Sequence, residues 1–402
     1  MNSPGGKIAL LTALILMSWI GFKPAAVAGQ QMLRPQTPLI RLVDWGKENH
    51  TLPPFDAARS GDAIFTLFQE PDGNYRMLEL DAACRTLQAV PLSLAPAVTP
   101  GVSAPLVFWD RQLVILDGQR DLRLTTVVDG HPVTDLLPLV EVLGKGTFEE
   151  RAAIIYDSVL QVVIAFRPDA NRQHRILYSL EIDPVSRSQP KIAVLSDDAR
   201  LNKLRSKLSV QAVDQAILAL VARTPLSGPA QLDLFVREAD STVWSREAIE
   251  GGAPGGASAV HVTSGGTLLF QGAHGGLSGR TWDKSGGELQ TYSKSAPRLI
   301  DSDGDIVVWA DNQRHGTRWW GHIPGYVLFS PNDSPDWDNN NLFTNLTQPQ
   351  VLTPDPGQVG DARVFQLADH VVVTWVGYES FQGGAEQREI QPLRLFCQSF
   401  TR

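Results

Sequence analysis

Arg314, Arg318, Trp319, Trp320 and Trp337 fall in or near one connection, and together they have the side-chain types of a glycan or peptide platform. Flat indole rings stack on sugar faces, and arginine bonds hydroxyls and carboxylates. One member of the Trp319–Trp320 pair is expected to pack inside the fold, leaving the other as the exposed contact.

Two oxygen-rich strings invite a cation. Asp301-Ser302-Asp303-Gly304-Asp305 has the density of carboxylates a hard ion needs, but position twelve from Asp301 is Asn312 rather than a bidentate glutamate. A plain turn is the favoured reading. Asp333, Asp336, Asp338 and Asn339 to Asn341 form the second string, read as a solvated loop. The eight histidines show no metal-ligand spacing, and there is no G-x-S-x-G elbow, H-E-x-x-H helix or phosphate-cradling glycine loop. No metal and no cofactor is expected.

These residues are carried by a repeat. An apolar strand, a tight polar turn and a β-branched strand recur with turns at Gly61, Asp110, Asp157, Asp214, Gly265, Gly304 and Asp369. The intervals are 49, 47, 57, 51, 39 and 65 residues, and a period near fifty in an all-β pattern predicts a propeller with one four-stranded blade per repeat. The expected fold is therefore a seven-bladed β-propeller of four-stranded antiparallel blades, one domain over 29–402, with a long insertion near 325–360. VVIAF and DIVVW read as inner strands and LRLTTVV as an outer one. Segments 198–208 and 135–142 are open to short helices.

Residues 297–314, PRLIDSDGDIVVWADNQR, resemble the TolB-like and surface-protein propeller repeats of exported microbial proteins, and VVVTWVGY at 371–378 is similar to the equivalent strand there and in sialidase-like propellers. The resemblance covers one blade and part of a second. It implies fold and compartment and carries no catalytic residue across. A sialidase would need an arginine trio and an S-x-D-x-G-x-T-W turn; here only Gly279-Arg280-Thr281-Trp282 remains, and Arg41 lacks the proline that follows a triad arginine.

The first thirty residues place Lys7 before an apolar run ending in Ala26-Val27-Ala28, the pattern of a secretory signal peptide over 1–28. Its removal takes Lys7 and Lys23 and no acid, so the charge moves from −8 to −10 and nucleic acid is disfavoured as a partner. A periplasmic or secreted protein without a membrane span is expected. Oxidation is permitted there, so the only two cysteines, Cys84 in the first repeat and Cys397 in the last, are predicted to bond across the join of a closed ring.

Function is expected to be non-catalytic: a binding or scaffold module for a glycan or protein partner. The alternative is a carbohydrate-active enzyme, a sialidase-like hydrolase or polysaccharide lyase, with its site in the central funnel. The two differ in one structural respect. The enzyme needs at least two carboxylates converging from different blades, and the binding module should lack such a pair.

Overall fold

The computed structural model describes residues 32–401 apart from several connections, the longest being 313–339 and 379–391. Two short strands come first, β1 (Arg34–Pro35) and β2 (Ile40–Gly46). Then six antiparallel blades of four consecutive strands follow. The first comprises β3 (Phe55–Ser60), β4 (Ala63–Gln69), β5 (Tyr75–Leu80) and β6 (Thr86–Leu92), and the second β7 (Leu106–Trp109), β8 (Gln112–Asp117), β9 (Arg123–Val128) and β10 (His131–Leu136). A one-turn helix, α1 (Val140–Leu143), leads into the third: β11 (Gly146–Tyr156), β12 (Val159–Pro168), β13 (Arg175–Ile182) and β14 (Lys191–Asp198). The fourth holds β15 (Lys207–Val213), β16 (Ala216–Arg223), β17 (Gln231–Glu238) and β18 (Ser245–Ala248). Shorter strands make the fifth, β19 (Val260–Val262), β20 (Thr267–Gln271), β21 (Leu277–Thr281) and β22 (Gln290–Thr291). The sixth is β23 (Pro297–Asp303), β24 (Ile306–Asn312), β25 (Asn340–Thr344) and β26 (Gln350–Val351), so part of the stretch expected as an insertion forms its third and fourth strands.

The expectation of seven four-stranded blades is corrected here. Six blades have that form, whereas β27 (Gln358–Gln366), β28 (His370–Tyr378) and β29 (Leu393–Thr401) belong to a five-stranded closing sheet that also takes in β1 and β2, both paired with β29. The period near fifty begins with the strand before the Gly61 turn and does not account for the strands of residues 34–46. Strands from opposite ends of the chain instead share one sheet and fasten the ring.

The anchor turns follow from local chemistry. Asp157 and Ser158 both have positive φ and join β11 to β12, while Gly61, Gly304 and Asp214 take positive φ at the equivalent turns of their blades. The strand before each turn lies innermost, and successive innermost strands, β3, β7, β11, β15, β19, β23 and β27, pack side by side until β27 returns to β3. The apolar runs VVIAF and DIVVW are second strands, inner in their blades as expected. LRLTTVV is a third strand rather than an outer one, buried because neighbouring sheets cover both its faces, Leu122 and Leu124 toward the third blade and Val127 toward the first, with Thr125 Oγ1 bonded to Thr134 Oγ1 of β10 at 2.8 Å.

A separate apolar core fills each gap between neighbouring sheets. Val162 and Ile164 of the third blade meet Val114 and Leu124 of the second. Trp309 of the sixth packs with Leu269 and Leu277 of the fifth. The last gap joins Ile64, Phe68 and Leu80 of the first blade to Val372, Val376 and Leu395 of the closing sheet. Burying each such side chain contributes roughly 1.5–3 kcal/mol, so the blades hold one another rather than themselves.

The disulfide Cys84–Cys397 spans this last gap, with Cα atoms 5.8 Å apart and a separation of 313 positions in sequence. A tight turn presents Cys84. Asp81 Oδ1 accepts from the Ala83 and Arg85 amides at 2.9 Å each, and Cys84 adopts a φ of 62°.

Candidate active site in the central channel

Each innermost strand has one edge without a sheet partner, so its polar side chains serve the neighbouring innermost strand or the channel. The sixth blade shows the pattern: Asp301 Oδ2 accepts from the Val364 amide and Asp303 Oδ2 from the Gln366 amide, both at 2.8 Å, stitching β23 to β27 in parallel register. On the other side, Ser209 Oγ of β15 accepts from the Val262 amide of β19 at 3.0 Å.

At the middle of this wall sits Arg363. Its Nε donates to Asp56 Oδ1 of β3 at 2.7 Å, and its Nη1 donates at 2.7 Å to Asp361 Oδ1 and to the Ala362 carbonyl. The guanidinium also lies over the Phe55 ring, 5.9 Å from its centroid. Burial opposes its charge, but Asp361, Asp56 and Asp301 outweigh that and hold its pKa above the ordinary arginine value. Asp301 responds in the opposite sense. Burial pushes its carboxyl up to about 7, against the pull of Arg363 and the Val364 amide, and the neighbouring Asp56 and Asp361 charges push the same way as burial. Carboxyl groups from three adjacent innermost strands therefore share the neighbourhood of one cation: Asp56 and Asp361 bond it, and Asp301, held by the Val364 amide, feels its charge.

His261 on β19 adjoins the cluster, with Nε2 2.8 Å from Ser302 Oγ. The pair has the shape of a nucleophile and its base. Burial, aided by the Arg363 charge, pushes the imidazole down to about 4, which makes it too weak a base to activate a serine.

The string Asp301 to Asp305 is a strand end and turn: Asp301 and Asp303 face β27, and Gly304 takes a φ of 59°. No three His, Cys, Asp or Glu side chains among the described residues are grouped to hold a metal. Arg314, Arg318, Trp319, Trp320 and Trp337 lie outside the described residues, as do residues 1–28, expected as a signal peptide, and Asp333, Asp336, Asp338 and Asn339. Of the remnant sialidase-type turn, Arg280 is paired with Glu247 of the fourth blade, and Arg41 lies on β2 opposite Phe396. A cavity of about 560 Å³ opens elsewhere, lined by Thr37, Asp62, Asp81, Arg85 and His370 at the join of first blade and closing sheet.

Sequence reading singled out Asp301 only as turn chemistry and passed over Asp56, Asp361 and Arg363. Arg363 and Asp56 are 307 residues apart. The available signal was position: each stands in the strand just before an anchor turn, where charge is out of place unless it serves the channel wall. The convergence itself departs from what the binding reading expected, a funnel without a carboxylate pair.

No protein-family model matches the chain, and no curated protein does. Among solved structures it is similar to the β-propeller domain of the Trilobed protease from Pyrococcus furiosus, described as having an open velcro topology, with a TM-score of 0.50 and 10% identity over 86% of this chain and 95% of that one. It also matches a Penicillium chrysogenum alpha-L-arabinanase complexed with arabinobiose (TM-score 0.47, 8% identity, 91% of this chain and 98% of that one). A third match is Trypanosoma rangeli sialidase in complex with the inhibitor DANA (TM-score 0.42, 10% identity), which covers 73% of this chain and 54% of that one. At these identities the likeness shows the propeller fold alone.

Proposed function

We propose that this protein is an exported carbohydrate-active hydrolase whose site is the channel cluster, with Asp301 as proton donor and the Asp56–Asp361 pair supplying the second carboxylate. The observation that supports it is the convergence of Asp56, Asp301 and Asp361 on Arg363 from three innermost strands. Glycoside hydrolysis needs a carboxyl that is still protonated at working pH and a carboxylate beside it. Asp301 gives its proton to the departing glycosidic oxygen. The carboxylate receives the proton of the water that adds to the anomeric carbon, or attacks that carbon first and is released by water. Arg363 fixes the position of both Asp56 and Asp361, which is the preorganisation such a step needs. Export is supported by the N-terminal leader pattern and by the disulfide; among the described residues no helix is long and apolar enough to cross a membrane.

A second reading, non-catalytic binding, is favoured by one observation. Asp56, Asp301 and Asp361 each already have a protein partner, as staples between blades do. Turnover separates the two. Purified protein is assayed against a panel of linear sialoside, uronate and neutral oligosaccharides, beside Asp301→Asn. Cleavage that disappears in the variant while its far-ultraviolet circular dichroism matches the wild type supports hydrolysis. Binding without cleavage of any member of the panel overturns it.

A further inference from the structure

Arg59 on β3 reaches past β27 to β23. Its Nη1 donates to the Gln366 carbonyl at 2.6 Å, and its Nε lies 3.2 Å from Asp303 Oδ2. Asp303 Oδ2 also accepts from the Gln366 amide, and the Gln366 side-chain Oε1 accepts from the Asp305 amide at 3.0 Å. From the fifth blade, Ser264 Oγ donates to the Gly304 carbonyl at 3.3 Å. One side chain thus bridges three innermost strands, and the neighbouring turns are tied to it.

The bridge has a definite depth. The innermost strands run in the same direction, since Asp301 pairs with Val364 and Asp303 with Gln366, while Arg363 meets Asp56 and Arg59 meets Gln366. Arg59, Asp303 and Gln366 are each two or three residues nearer the tight turns than Asp56, Asp301 and Arg363. At about 3.3 Å per residue this puts the bridge roughly 7–10 Å beyond the carboxylates, on the turn side of the channel.

We propose that Arg59 and Asp303 form a floor beneath the carboxylate cluster, so that a glycan enters from the opposite face and only its terminal portion reaches Asp301. Cleavage is then directed to chain ends, and Arg59 is a specificity-determining residue that touches no reacting atom. This inference rests on the hydrolase reading.

The test follows product length over time with linear oligosaccharides labelled at the reducing end. The wild-type protein should release short terminal products from the outset, with mid-length fragments absent early. Arg59→Ala, which opens the floor, should produce mid-length fragments early; should that variant fail to fold, Asp303→Asn, which keeps the shape and removes the charge, reads the same effect. Early mid-length fragments from the wild type overturn the floor while leaving hydrolysis standing, as does a product pattern unchanged in whichever variant folds. Absence of cleavage in every sample overturns the hydrolase reading and this inference with it.

Discussion

Asp301 and His261 titrate in opposite directions within one cluster, and this has a measurable consequence. An unfolded aspartate titrates near 3.9 and an unfolded histidine near 6.5. With Asp301 raised to about 7, the native protein holds more protons than the unfolded chain between those values, so stability from this group falls as pH rises from about 4 to about 7. With His261 lowered to about 4, the native protein holds fewer protons, so stability from that group falls as pH drops from about 6.5 to about 4. The two offset each other where they overlap. Asp301→Asn removes one side of the balance, so its denaturation midpoint should gain on the wild type steadily from pH 4 to pH 7; a constant difference across that range contradicts the assignment. Arg363 is the keystone of the same cluster. Arg363→Met leaves Asp56 and Asp361 without their shared cation in a partly buried setting and should cost about 3 kcal/mol of unfolding free energy by urea titration. A loss well below 1 kcal/mol would mean the charges are solvated.

At the scale of elements, the chain shows why the turns were legible and the channel was not. Turn chemistry is local: Gly61, Asp157, Asp214 and Gly304 announce themselves through residue type, and each joins the first two strands of its blade. Strand order within a blade is not local. The apolar run around Val162 to Phe166 is buried on both faces in second position just as it would be in first, because neighbouring sheets cover it either way. The five-stranded closing sheet was illegible for the same reason, since β2 finds its partner β29 only when the ring closes. Asp56, Asp361 and Arg363 stayed hidden because their meaning lies in one another. Blade packing gives its own expectation. Trp309, 1% exposed on β24, fills the gap to the fifth blade, and Trp309→Ala should cost about 3–5 kcal/mol by denaturant titration. An effect below 1 kcal/mol would mean that gap is not a packed core.

For the molecule as a whole, the join between the two chain ends is the point at which a ring built from consecutive blades must be held. Three devices act there: β1 and β2 pair with β29, an apolar core joins the first blade to the closing sheet, and Cys84 is bonded to Cys397. By the chain-entropy relation a loop of this length contributes roughly 5 kcal/mol. Replacing both cysteines with serine should therefore lower the thermal midpoint by several degrees while leaving far-ultraviolet circular dichroism unchanged below the transition, since strand pairing still closes the sheet. An unchanged midpoint would mean the bond adds nothing to the other two devices. The proposed channel site depends on this closure, because Asp56 belongs to the first blade and Arg363 to the closing sheet. The same double variant should lose channel activity in step with its loss of fold. The most direct measurement is the pH dependence of kcat/KM on a cleaved oligosaccharide. With Asp301 as proton donor, the rate should fall as pH rises through about 7, the value at which its carboxyl loses its proton. A kcat/KM that is level or still rising from pH 7 to pH 9 would contradict Asp301 as the acid.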